Sequence, residues 1–317
     1  MKRFFTLAVL ACCFISCQQN GTPSRADAIA AHIRNPKSDY VVVVSHRGDW
    51  RNHPENSIPA IESLIEMGGD MVEMDLKMTK DSVLVLSHDY SVKRCTNFDT
   101  VFADEPDKSP KIKDLTYAET QMLRLKFRGT VIDSVNMPTL REALACCKDR
   151  ICVNVDQGYD YYDEVLAITE ELGVTNQVLI KGAWPIETVA ANEARHENNM
   201  MYMPIVNIQR EKGKALFQSY LDQGVVPLAY EVCWQNNDDD AFPQACQKIL
   251  EQGSKVWVNT MWGELCGGEG NADEDAFKAE NPGDVYGQYL EKGASMIQTD
   301  RPALMIGWLE SIGRHTL

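Results

Sequence analysis

Short aliphatic runs alternate with longer stretches of helical apolar spacing through most of this chain, and that alternation restricts the possible folds more than any other feature. Strand-like runs occupy residues 41–45, 71–75, 83–87, 151–156, 177–181, 201–206, 225–231, 255–259 and 295–299. Helical spacing marks residues 26–34, 57–67, 115–123, 140–147, 162–172, 185–198, 212–223, 242–251 and 285–292. Strand and helix taking turns over about 280 residues fit a TIM-type (β/α)8 barrel better than a doubly wound open sheet. Nine strand candidates are one too many. The runs around 71–79 and 83–87 are joined only by Lys80-Asp81-Ser82, too short for a crossover helix, so an irregular hairpin is expected across residues 71–88. Residues 98–113 read as a solvated excursion from their charge and proline content, and no second domain is expected within residues 39–317.

The chemistry-bearing residues sit where strands end. His46 and His88 each close an aliphatic run, and between them Val72-Glu73-Met74-Asp75-Leu76 alternates apolar and acidic residues. Period-two geometry puts Glu73 and Asp75 on one face. Two carboxylates held together repel, and a hard divalent cation with oxygen ligands is the simplest counter-charge.

The first residues form a separate unit. Lys2 and Arg3 precede the apolar stretch 4–14, which is too short for a permanent membrane span, and Phe14-Ile15-Ser16-Cys17 resembles a bacterial lipobox. That resemblance implies a signal peptide over residues 1–16, lipid attachment at Cys17, and a polar tether with a short helix through residue 38. An ordinary signal peptide, or cleavage elsewhere, is the alternative. The expected location is the cell envelope, lipid-anchored and facing the periplasm or the surface. The chain carries 31 basic and 46 acidic side chains, a formal charge of −15, and loses two further positive charges with the leader. This argues against nucleic acid as a partner and requires a local positive site for any anionic substrate. Once Cys12, Cys13 and Cys17 are set aside an odd number of cysteines remains, with no zinc spacing, so no disulfide pairing can be chosen.

Five ordered motifs extend the pattern: Ser45-His46-Arg47-Gly48, Pro54-Glu55-Asn56-Ser57, Val72 to Leu76, Thr79-Lys80-Asp81 and His88-Asp89. They are followed by Met137-Pro138-Thr139-Leu140 and a terminal Gln298-Thr299-Asp300-Arg301-Pro302. Together they resemble the glycerophosphodiester phosphodiesterase family. The resemblance implies a barrel that hydrolyses small phosphodiesters with one bound divalent metal ion, Ca2+ or Mg2+. By position His46 and His88 match the acid/base histidines, Glu73 and Asp75 two metal ligands, and Arg47 a phosphate-contacting arginine. A third ligand in the family is a glutamate followed two residues later by lysine. Here Asp156 and Gly158 stand in those places, one methylene shorter and without the cation. Lys181, ending the next strand, is the expected replacement for that lysine and, with Arg47, the expected phosphate anchor.

Imidazole titrates near neutrality and suits both proton transfers of diester hydrolysis, with His46 assigned as base and His88 as acid, although the sequence does not decide between them. Whether attack begins with the substrate's own neighbouring hydroxyl is equally open. Trp50, Trp184, Trp234 and Trp262 all follow strand ends and are expected, with Glu55 and Glu231, to wall a substrate pocket. Asn56 is balanced between a helix cap and a site role. Two rivals remain at this stage: a phosphoinositide- or sphingomyelin-type phospholipase on a related barrel, and a catalytically weak phosphodiester-binding lipoprotein, the latter suggested only by Asp156 and the missing lysine.

Overall fold

The structure, a computed structural model, describes residues 22–195, 198, 200–237, 240–263, 267–268 and 270–317. Cys17, the leader and Cys266 lie outside the described residues. Nine strands form one sheet: β1 (Val42–Ser45), β2 (Met71–Met78), β3 (Leu84–Leu86), β4 (Cys152–Asp156), β5 (Val178–Gly182), β6 (Met201–Asn207), β7 (Ala229–Cys233), β8 (Lys255–Asn259) and β9 (Ala294–Thr299). Eight are parallel and closed. β1 pairs with β9 on one side, and with β2 on the other through Val44 opposite Met71. β3 is the surplus strand. It runs antiparallel to β2, with Leu76 opposite Leu86 and Met78 opposite Leu84, so the three-residue link makes a hairpin outside the barrel wall. Ser82 takes the left-handed conformation of that turn, with a φ of 63°.

Two expectations need correction. Residues 98–113 are not simply solvated: Phe98, Phe102 and Ile112 are buried with Val85, Val92, Leu115 and Leu123 in a small core laid over the hairpin. Charged and proline residues at 104–108 dominate the average composition, which hides the apolar pair four residues apart. The helix Arg25–Arg34, started by a Ser24/Asp27 capping box, buries Ile29, Ala30 and Ile33 against Val42, Met71, Leu179, Trp257 and Met296 at the bottom of the barrel. This helix is therefore packed with the barrel. β7 likewise begins at Ala229, later than expected, and carries Trp234 to a position directly after the strand.

Among the described residues no helix is long and apolar enough to cross a membrane. The main core lies between the strands' outer faces and the surrounding helices, including Ile61, Leu64, Val153, Ile180, Tyr230 and Leu309. With helices covering its outside and apolar layers filling its lower interior, the barrel leaves room for polar side chains only where the strands end.

Candidate active site

At that end a cavity of about 180 Å³ is lined by His46, Arg47, Glu73, Asp75, His88, Asp156, Lys181, Glu231, Asn259, Met261 and Gln298, among others. Both histidines, the three acids and both cations named from the sequence thus share one cavity. The carboxylates of Glu73, Asp75 and Asp156 each offer an oxygen within 4.8 Å of the others. Their register explains the grouping: β2 and β4 run parallel with Glu73 opposite Asn154 and Asp75 opposite Asp156.

The turn after β1 is shaped to reach these acids. Arg47 has a φ of 54° and Gly48 of 73°; a Cβ on Gly48 would meet Ala60 at 3.0–3.1 Å, so only glycine suits the close approach of the following helix. The bend aims the Arg47 backbone N–H at Glu73 Oε2, 2.9 Å away. Its guanidinium lies between Glu55 (Nη1 to Oε1, 3.2 Å) and Asp75 (Nε to Oδ2, 3.4 Å), and the buried Nε has no hydrogen-bond partner. Asn56, also left-handed with a φ of 54°, donates from Nδ2 to Asp75 Oδ2 at 2.8 Å and accepts from the Asp75 backbone at 3.1 Å. The helix cap is Ser57, so the balance at Asn56 falls toward fixing Asp75.

Glu73 is 2% exposed. Burial, then the charges of Asp75 and Asp156, pushes its carboxyl well above the ordinary range, an imbalance that Lys181 and Arg47 only partly relieve. A tight set of carboxylate oxygens without sulfur ligands, one of them reluctant to ionise alone, fits a hard divalent cation. Lys181 is buried beside the same acids, with Nζ 3.2 Å from Asp156 Oδ1 and 2.8 Å from Glu231 Oε2. Burial opposes its charge, but Glu231, Asp156 and Glu73 together hold its ammonium above the usual lysine range. A buried cation on the neighbouring strand thus stands beside Asp156.

The two histidines differ in setting. His46 is buried and bonds through Nδ1 to Asp300 Oδ1 at 2.8 Å; an ionised carboxylate only accepts, so Nδ1 carries the hydrogen and Nε2 is left as acceptor. The side chain of His88 is 44% exposed and bonds through Nδ1 to Asp89 Oδ1 at 2.7 Å. Asp300 also accepts from Trp50 Nε1 at 2.7 Å, and its backbone N–H is held by buried Asp273. Asn259 was not singled out from the sequence, and Gln298 and Asp300 stood in the terminal motif without an assigned role. Their signal was present: Asn259 and Gln298 are polar residues that follow the aliphatic or aromatic centres of their strands, and Asp300 immediately follows β9.

The aromatic wall is a further correction. Trp234 is buried and stacks on Phe242 with ring centroids 3.9 Å apart. Trp184 folds back over Gly182 toward Tyr159, and donates from Nε1 to Asp160. Trp50 and Glu55 line a separate cavity with Arg94 and Phe127. Each of these three rings finds its partner outside the cavity. Trp262, 36% exposed, stands near the site, 5.9 Å from the His46 ring. Of the expected pocket residues only Glu231 lines the cavity itself.

Comparison with known proteins agrees with this architecture. Residues 46–209, just over half of the chain, match the model of the glycerophosphoryl diester phosphodiesterase family, and residues 202–309 match a domain of unknown function. A glycerophosphodiester phosphodiesterase of Caldanaerobacter subterraneus subsp. tengcongensis is 36% identical over 118 residues, covering 36% of this chain and 44% of that protein. Glycerophosphodiester phosphodiesterase 1 of Rattus norvegicus is 33% identical over 142 residues, covering 44% of this chain and 38% of that protein. The chain thus spans less than half the length of these curated relatives. In fold it is similar to a glycerophosphoryl diester phosphodiesterase from Parabacteroides distasonis, with a TM-score of 0.70, 20% identity and coverage of 92% and 93% of the two chains. It is also similar to an Oleispira antarctica phosphodiesterase solved with the product sn-glycerol-3-phosphate, with a TM-score of 0.60, 19% identity and coverage of 88% and 99%. With the matched segment reaching from His46 through β6 and the barrel shared along nearly its whole length, the chain belongs to the glycerophosphoryl diester phosphodiesterase family.

Proposed function

We propose that this protein hydrolyses glycerophosphodiesters to glycerol phosphate and an alcohol. The observation that carries the reading is the carboxylate trio of Glu73, Asp75 and Asp156 sharing one cavity with two histidines. Calcium or magnesium held by that trio would supply positive charge against the phosphoryl oxygens. Arg47, with its unpartnered Nε, binds a further phosphoryl oxygen, and Lys181 keeps the trio's surplus negative charge in check. His46 takes the proton from the attacking oxygen at Nε2, the nitrogen left free by its bond to Asp300. His88, exposed at the cavity mouth and bonded to Asp89, delivers a proton to the departing alkoxide.

Envelope attachment through Cys17 belongs to the same proposal, supported by the basic start, the short apolar stretch and the lipobox-like Phe14–Cys17. The test of the chemistry is turnover of glycerophosphocholine, glycerophosphoethanolamine, glycerophosphoinositol and intact phospholipid by purified protein, with and without chelator. Hydrolysis of the water-soluble diesters that stops on chelation and returns with calcium or magnesium is the expected result. Chelator-resistant turnover removes the cation, and preference for intact phospholipid replaces the substrate class.

A further inference from the structure

The cavity's unfilled hydrogen-bonding capacity is divided by side. Toward β1 the atom with unfilled capacity is a donor, Arg47 Nε; toward β7 and β9 the atoms with unfilled capacity are acceptors, Gln298 Oε1 without any partner and Glu231 Oε2 met only by the Lys181 ammonium. Glu231 and Gln298 are 6% and 4% exposed, and both line the cavity. Asn259 links them: its Nδ2 donates to Glu231 Oε1 at 2.8 Å, and it stands opposite Gln298 in the β8–β9 register. Glu231 Oε2 lies 2.8 Å from Lys181 Nζ, whose ammonium neutralises its charge and takes one of its acceptor positions, so that oxygen keeps one further position, whereas Gln298 Oε1 has no partner. A shielded acceptor without a donor, as at Gln298 Oε1, is costly until something in the cavity supplies a hydrogen.

We propose that Glu231, Asn259 and Gln298 form the subsite for the alcohol half of the diester, and that this subsite selects a neutral polyol. The inference rests on the hydrolase reading. Phosphate, an acceptor, suits the donor side; hydroxyl groups suit the acceptor side. A quaternary ammonium carries no N–H to donate and is held by aromatic faces or a free anion. Here Trp50, Trp184 and Trp234 are turned away, Trp262 stands beside His46 without lining the cavity, and Lys181 already neutralises Glu231. The wall also lies beyond residues 46–209, in the half-barrel that matches a domain of unknown function. The shared phosphate chemistry thus falls in the family-matched half, and recognition of the variable alcohol in the other.

The test compares kcat/KM for glycerophosphoinositol and glycerophosphocholine in the metal-loaded wild type and in Gln298→Met, with bis(p-nitrophenyl) phosphate as a diester lacking any polyol. Wild type should favour the inositol diester, and Gln298→Met should lower the inositol-to-choline ratio by about tenfold through loss of a buried hydrogen bond. The conservative variant Gln298→Asn, which retains the amide, should recover part of that ratio. A wild-type preference for the choline diester, or an equal fall for both diesters in Gln298→Met, overturns the inference. If bis(p-nitrophenyl) phosphate is cleaved without polyol preference, the subsite fails while the hydrolase reading stands. If no diester is cleaved, the hydrolase reading fails and the subsite built on it goes too.

Discussion

Replacing Asp300 by asparagine isolates the contribution of one charge to the proposed base. Asp300 is 4% exposed, and its Oδ1 receives both His46 Nδ1–H at 2.8 Å and Trp50 Nε1–H at 2.7 Å. An asparagine with its oxygen in the Oδ1 position keeps both bonds, and the backbone stays pinned because the residue-300 N–H still reaches Asp273 Oδ2. What disappears is the negative charge beside the imidazolium formed as His46 accepts a proton. A hydrogen bond to a charged group contributes about 1.5–3 kcal/mol against about 0.5–1.5 for a neutral pair, so the transition state loses roughly 1–2 kcal/mol. At about 1.4 kcal/mol per factor of ten, kcat should fall about 5- to 30-fold. Asp300 does not line the cavity, so KM should change little, and the melting temperature should remain near that of wild type. Asp300→Ala should lose more activity and also melt earlier, because it strands the buried His46 donor, at about 1–3 kcal/mol, together with the part-buried Trp50 donor. Stopped assays over a range of glycerophosphodiester concentrations, paired with thermal melts, separate these effects. An Asp300→Asn enzyme that keeps kcat within about twofold of wild type would refute the assignment of His46 as base.

Lys181→Met should destabilise the cation-free protein by about 3–5 kcal/mol, since it leaves the carboxylates of Asp156 and Glu231 without their shared buried ammonium. The same variant should gain more thermal stability from added calcium or magnesium than wild type does, because a competing positive charge has been removed; scanning calorimetry with and without cation reads both, and a wild-type melt without cation refutes the pairing. Acid should loosen the contact between the residue 47–57 loop and the segment after β3, where Arg94 donates to both Glu55 and Asp89. Burial raises the Glu55 carboxyl, but bonding to Arg94 and the charge of Arg47 leave it below its ordinary range, while the Arg94 bond brings Asp89 to about 2. Carboxyls depressed in the folded state stabilise it above their unfolded values near 4, and that contribution is lost as pH falls toward 2. Tryptophan fluorescence should therefore report a transition between about pH 4 and 2 that is absent in Arg94→Gln; an identical profile in that variant would dismiss the clamp.

Much of the barrel was legible because its strands are dense in aliphatic residues and its helices start with strong local signals, such as the Thr139/Glu142 capping box. The surplus strand was legible too, since three residues cannot carry a crossover. Burial of Phe98 and Phe102 was not, because it depends on the hairpin supplying a surface that composition alone does not reveal. The tryptophans failed for a related reason. Sequence places a residue after a strand, but the partner that captures its ring, Phe242 for Trp234 or Asp160 for Trp184, determines whether it turns inward.

Lys181 shows how far adjacency along a sheet can be argued and where it stops. β4 and β5 pair Val155 with Ile180, so the next residues, Asp156 and Lys181, emerge side by side and a cation lost from one strand can be supplied by its neighbour. Glu231 could not be added by that reasoning, because it lies two strands further round. Lys181 is level with Met203, whereas Glu231 is level with Ile205, two residues farther along β6. That stagger is the shear of a closed barrel, which brings inward-facing side chains of alternate strands into one layer. The ion pair between Lys181 and Glu231 is therefore a consequence of closure. An open sheet built from the same strands would keep Asp156 beside Lys181 and would have no reason to bring Glu231 to it across the interior.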